Sequence, residues 1–126
     1  MPHLTILYVA SVPASTTFYE KVLGMAPLES SPGFAMFALS EGGMLGLWKR
    51  DAVVPAVEGP SAGFELVLEH ADLAALEAFL ASCRKAGAGL IQDIAKVDFG
   101  TTFCAVDPDG HRLRGLVPPS MPPKAP

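Results

Sequence analysis

Phe99-Gly-Thr-Thr-Phe-Cys-Ala-Val-Asp-Pro-Asp-Gly-His-Arg-Leu-Arg-Gly-Leu116 decides how the chain is read. Two largely apolar runs flank Asp107-Pro-Asp-Gly110. Asp and Pro initiate a turn and Gly110 supplies a positive φ, so the stretch is a β-hairpin. In the returning arm, Leu113 and Leu116 need apolar surroundings, while Arg112 and Arg114 share one face by the two-residue period of a strand. One face of this hairpin is expected to pack on helices. The other is expected to line a space that tolerates guanidinium.

The same pattern occurs earlier. Leu4–Val9 reads as a strand, and Pro13 suits the first turn of a helix. Phe18, Tyr19, Val22 and Leu23 fall on one helical face, and Gly24 stops it. Met25–Glu29 is extended and leads to the Ser30–Gly33 loop. Phe34–Leu39 and Met44–Lys49 are strands joined by Ser40-Glu-Gly-Gly43. A connector over residues 51–63, with no periodicity, is followed by the strand Phe64–Glu69. Asp72 then caps a helix with the apolar stripe Leu73, Leu76, Phe79, Leu80 and Cys83, ended by Gly87. Leu90 and Ile91 begin another extended piece before the closing hairpin. The order strand, helix, three strands therefore occurs twice: module one at about 1–50 and module two at about 64–117, ahead of a Pro-rich tail at 118–126 that is expected to be loose. The expectation is a single α+β domain. Each module is a curved antiparallel sheet with a helix on its outer face, and the two enclose a cavity.

The chain has 126 residues, half of them apolar, and a net charge of −4. With no Lys/Arg cluster, nucleic acid and anionic membranes are not expected partners. No apolar run reaches the roughly 18 residues of a membrane span, and no signal-peptide pattern opens the chain, so a cytoplasmic location is expected. Cys83 and Cys104 lack metal-ligand spacing and read as two buried thiols.

These elements resemble the vicinal oxygen chelate superfamily, which includes glyoxalase I, extradiol dioxygenases and bleomycin-resistance proteins. The carriers are Tyr8-Val9, Phe18-Tyr19-Glu-Lys-Val-Leu-Gly24 and Asp107-Pro-Asp-Gly110. Met44-Leu-Gly-Leu-Trp48, Asp98-Phe-Gly-Thr-Thr-Phe103 and Asp-Pro-Asp-Gly-His-Arg-Leu-Arg114 are similar to the phenazine antibiotic-resistance proteins of that superfamily. Those proteins bind an aromatic antibiotic without catalysis, in a cavity of a dimer. Enzymes of the superfamily hold a divalent metal with four side chains. Carried over, these positions fall on Leu4, Gly46, Glu65 (or Phe64, with the register shifted by one) and Arg114. Leu and Gly have no donor atoms and Arg is a permanent cation, so neither a metal nor another cofactor is expected.

The resemblance implies a metal-free protein that sequesters a planar aromatic molecule. The alternatives are a lyase, isomerase or dioxygenase of the same superfamily, or a small ligand-sensing or partner-binding module. Trp48, the only tryptophan, shares the cavity-facing parity of Gly46, whose missing side chain is expected to leave room for a flat ring against the indole; the alternative is a core or interface tryptophan. Arg114 and Glu65 converge on the cavity in the resemblance, either to orient a ligand's polar groups or as a structural ion pair. Phe34, Met36, Phe99 and Phe103 are expected to wall the cavity, although the pattern leaves open which of Met36 and Phe37 faces inward. His70 and His111 read as surface histidines. A homodimer is expected, because a concave apolar sheet face needs covering.

Overall fold

A computed structural model describes residues 2–60 and 63–119. The first module comprises β1 (His3–Val9), α1 (Val12–Leu23), β2 (Glu29–Ser30), β3 (Phe34–Ala38) and β4 (Gly43–Lys49). The second comprises β5 (Glu65–Glu69), α2 (Leu73–Lys85), β6 (Gly89–Val97), β7 (Gly100–Val106) and β8 (Arg112–Val117). The strand orders are β1-β4-β3-β2 and β5-β8-β7-β6.

The helices begin and end on local chemistry. Ser11 caps α1 by accepting from the Ala14 N–H, and Gly24 at φ 69° ends it, donating its own N–H to the Glu20 carbonyl. Asp72 caps α2 by accepting from the Ala75 N–H. Of the apolar stripe on α2, Leu76, Phe79, Leu80 and Cys83 are buried, while Leu73, in the first turn, is exposed. Burial pushes the Cys83 thiol up to about 11. Both cysteines are free and buried.

The sheets are mixed, which corrects the expectation of antiparallel sheets. β1 pairs with β4 in parallel and β5 pairs with β8 in parallel, and the remaining pairings are antiparallel. Chain direction explains this. After the helix reverses the chain, two hairpin reversals bring the fourth strand back in the direction of the first. The 25–29 segment is mostly irregular, and only Glu29–Ser30 pairs, with β3.

One core joins both modules. Leu7, Val9, Phe37, Leu45 and Leu47 meet Phe18, Tyr19 and Val22 of α1, while Leu66, Phe103 and Leu113 meet α2; these residues form one buried cluster. The two helices touch each other. Of the tail, Pro118 and Pro119 are exposed, and the rest lies outside the described residues. Among the described residues, no helix is long and apolar enough to cross a membrane.

The closing turn ties the modules together. Asp107 Oδ1 accepts from the Asp109 and His111 N–H groups, each at 2.9 Å, which shapes the turn. Its Oδ2 accepts from the Tyr19 hydroxyl of the other module at 2.7 Å. Asp109 accepts from the Ala10 N–H at 2.9 Å and from the Ser15 hydroxyl at 3.4 Å. Because a carbonyl can only accept, His111 Nε2 carries a proton and donates it to the Tyr8 carbonyl at 2.8 Å. Burial first, then the Asp107 carboxylate, raises the pKa of Tyr19 far above the ordinary phenol value, so the hydroxyl remains a donor. The Phe-Tyr and Asp-Pro-Asp-Gly segments that carry the family resemblance thus meet as a clamp between the modules.

Candidate functional site

Strand parity sorts the side chains into two faces. On the first sheet, Leu7 and Val9 of β1, Ala35 and Phe37 of β3, and Leu45 and Leu47 of β4 turn to the helical side and are buried. The register places Leu4 beside Met44, Ile6 beside Gly46 and Tyr8 beside Trp48, with Met36 beside Gly46 and Phe34 beside Trp48. Ile6, Tyr8, Phe34, Met36, Gly46 and Trp48 therefore share the face away from the helices. The ambiguity between Met36 and Phe37 is resolved: Phe37 is core and Met36 lies on the open face.

The space above Gly46 is filled. A Cβ at Gly46 would come within 2.9 Å of Phe34 Cζ and 3.4 Å of Ile6 Cγ1. The glycine admits the Phe34 ring, which corrects the expected vacancy beside Trp48. Trp48 instead meets Tyr8 edge to face, with ring centroids 6.4 Å apart.

On the second sheet the polar face is built around Arg114. Its Nε and Nη2 donate to the two Glu65 oxygens at 3.0 and 2.8 Å. Its Nη1 donates to Gln92 Oε1 at 2.8 Å and to Thr102 Oγ1 at 3.4 Å. Thr102 can accept because its own proton goes to the Gly115 carbonyl. The Arg112 guanidinium stands 3.8 Å from Glu65 Oε2, and the Cys104 thiol lies 3.7 Å from the same oxygen. The Arg114 hydrogen bonds, ahead of its charge, hold the Glu65 carboxyl below the usual carboxylate range. Glu65, rather than Phe64, is thus the β5 residue that faces Arg114.

Phe103 does not wall the cavity, contrary to expectation. It is fully buried on the helical side against Phe79, with ring centroids 5.6 Å apart. Its ring lies against Gly115, where a Cβ would meet Phe103 Cε2 at 2.5 Å. Phe99, just before β7, is half-exposed and does not line the cavity. His70 is not a simple surface residue either. Its ring lies on Phe79 at 4.6 Å, and among the described residues its buried Nε2 has no hydrogen-bond partner.

The two faces meet in a cavity of about 960 Å³ between β1 and the β5–β8 edge, where Ile6, Tyr8, Phe64, Glu65, Arg112 and Arg114 supply the principal side chains. Trp48 stands one strand further out, behind Tyr8. Sequence reasoning missed Tyr8 and Gln92 as site residues; it placed Arg112 on the face of Arg114 without giving it a role. The alternation of Leu4, Ile6 and Tyr8 against Leu7 and Val9 carries the signal for Tyr8. Nothing comparable marks Gln92, because β6 shifts register on either side of it.

A family model for the glyoxalase/bleomycin resistance protein/dioxygenase superfamily matches residues 1–114. The chain belongs to this superfamily. Among solved structures, protein ATC0852 from Agrobacterium tumefaciens is 42% identical, with a TM-score of 0.84, over 95% of this chain and 98% of its own. A glyoxalase-related enzyme from Fulvimarina pelagi shares the fold at a TM-score of 0.85 and 20% identity, over 99% of this chain and 93% of its own. A glyoxalase/bleomycin resistance protein/dioxygenase family enzyme from Burkholderia phytofirmans does so at a TM-score of 0.78 and 19% identity, covering 89% and 94%. No curated protein matches the chain.

The residues at the superfamily's metal positions do not fit a divalent cation. Leu4 and Gly46 offer no donor atom, and Phe34 covers Gly46. Arg114 puts a permanent cation, hydrogen-bonded on both sides, where the fourth ligand would stand, and it occupies both oxygens of Glu65. Among the described residues, no three His, Cys, Asp or Glu side chains converge as a metal group would require.

Proposed function

We propose that this superfamily member reversibly binds a planar aromatic small molecule without a metal, and that capture of an antibiotic of phenazine type is its cellular role. The observation that carries the reading is the Arg114–Glu65 pair at the wall of a cavity large enough for a tricyclic ring, at two positions where the superfamily resemblance implies metal ligands. Ile6, Tyr8 and Phe64 supply the apolar wall, so desolvation provides most of the affinity and aromatic contact with Tyr8 adds to it.

A fluorescence titration with a panel of phenazines tests this. Binding against Tyr8 changes the emission of Trp48, whose ring meets that of Tyr8. Tyr8→Ala weakens binding by about 2 kcal/mol, at least about tenfold, and more than Trp48→Ala does. The ligand is recovered unchanged, and elemental analysis of the purified protein finds no stoichiometric metal. A panel that gives no signal at high micromolar concentration overturns the reading. Conversion of a bound compound to product, or one tightly held metal per chain, favours a lyase, isomerase or dioxygenase instead.

We also propose a homodimer. Leu4, Ile6 and Val67 are apolar and exposed along the neighbouring first strands of the two modules, and a second copy would cover them. Sedimentation at tens of micromolar is expected to give twice the chain mass, and a monomer at that concentration removes this proposal.

A further inference from the structure

The cavity holds one more positive charge than its own pairing uses. Its charged lining comprises Glu65, Arg112 and Arg114, a formal excess of one positive charge on a chain whose net charge is −4. Arg114 is committed, with four hydrogen bonds from a group that has five N–H donors. Both Glu65 oxygens are committed in return. Arg112 is different: at 3.8 Å from Glu65 Oε2 it is beyond hydrogen-bonding distance, and its side chain is 56% exposed. Its donors face the cavity without a close acceptor from Glu65.

Resting on the binding reading above, we propose that Arg112 anchors an anionic oxygen of the ligand, and that the ligand class is a planar aromatic carboxylate rather than a neutral ring. A guanidinium presents paired N–H groups in a plane, which matches the two oxygens of a carboxylate. Register places Arg112 beside Glu65, adjacent to Phe64, so a carboxylate on Arg112 leaves the attached ring against the apolar wall of Phe64, Ile6 and Tyr8. Arg114 acts differently: by taking both Glu65 oxygens it leaves Arg112 at ion-pair distance without a hydrogen bond to that carboxylate.

Two probes of the same shape separate this from the parent reading: phenazine-1-carboxylate, which is ionised at pH 7.5, and phenazine-1-carboxamide. The wild-type protein is expected to bind the carboxylate about tenfold more tightly than the amide, as one charge-assisted contact provides. Arg112→Gln, at an exposed position that leaves the fold intact, brings that ratio to about one. Equal binding of the two probes by the wild type overturns the anion anchor and leaves the aromatic-binding reading standing. So does a preference that survives in Arg112→Gln. If neither probe binds, the parent reading fails and this inference falls with it.

Discussion

Replacing Asp107 by alanine is expected to lower the melting temperature by about 10 °C. Asp107 is 5% exposed and accepts three hydrogen bonds, from Tyr19, Asp109 and His111. Removing the carboxylate leaves the buried Tyr19 hydroxyl without its acceptor and frees the turn. Bonds to a charged group contribute about 1.5–3 kcal/mol each, and their losses do not add fully, so about 3 kcal/mol is expected. For a domain of this size that corresponds to about 10 °C. Tyr19→Phe removes one of the three bonds and costs about 1–2 kcal/mol. Asp107→Asn keeps an acceptor for the turn and falls between the two. Asp109→Ala, at an exposed position, costs less than any of them. Chemical denaturation of the four variants tests the order; if Asp107→Ala matches the wild type, the clamp does not hold the modules together.

The second large effect is an asymmetry within the cavity pair. Glu65→Leu leaves the Arg114 guanidinium, only 12% exposed, with Gln92 and Thr102 alone. Stranding a mostly buried charge costs about 2–3 kcal/mol once partial solvent access is allowed for. Arg114→Met costs less, because the Glu65 side chain is 28% exposed and still has Arg112 3.8 Å away. The double variant is more stable than Glu65→Leu, since no unpaired charge remains; a double variant that simply adds the two losses would show that the pair is not coupled.

Acid titration tests the same pair. The folded-state pKa of Glu65 lies below its ordinary value of 4.5, chiefly because of Arg114. Its contribution to stability is therefore fully present above pH 4.5 and is lost as the pH falls through the lowered value. In Arg114→Met most of that contribution is absent, so the variant loses less stability than the wild type as the pH falls below 4.5. Equal losses of stability on acidification in the wild type and the variant would show that Arg114 does not hold Glu65 ionised.

Much of the fold could be read along the chain because its signals are local. The Asp107–Gly110 turn, the Asp72 cap, the α2 stripe and Gly24 each depend on residues within about one helical turn or one hairpin. The twofold recurrence of strand, helix and three strands then predicted two like modules. The lack of side-chain donors at Leu4 and Gly46, and the permanent charge of Arg114, were legible from residue type alone.

What faced what was not legible, because parity divides a strand into two faces without saying which is the cavity. Phe103 shows this. Its cross-strand partner is Gly115, while Cys104 opposes Arg114, and only that register sends the ring to the helices. The Asp-Pro-Asp-Gly segment announced a turn, but its bond to Tyr19, 88 residues away, exists only once the modules dock. Gly46 was recognised as a gap; that the Phe34 ring fills it depends on side chains meeting across strands. By itself the sequence determined the modules, their turns and caps, and the absence of metal donors at three ligand positions. The tertiary structure alone decided the parallel pairing within each sheet, the clamp between modules, the four hydrogen bonds of Arg114 and the looser, more exposed placement of Arg112, because each depends on distances between groups that the chain does not place side by side.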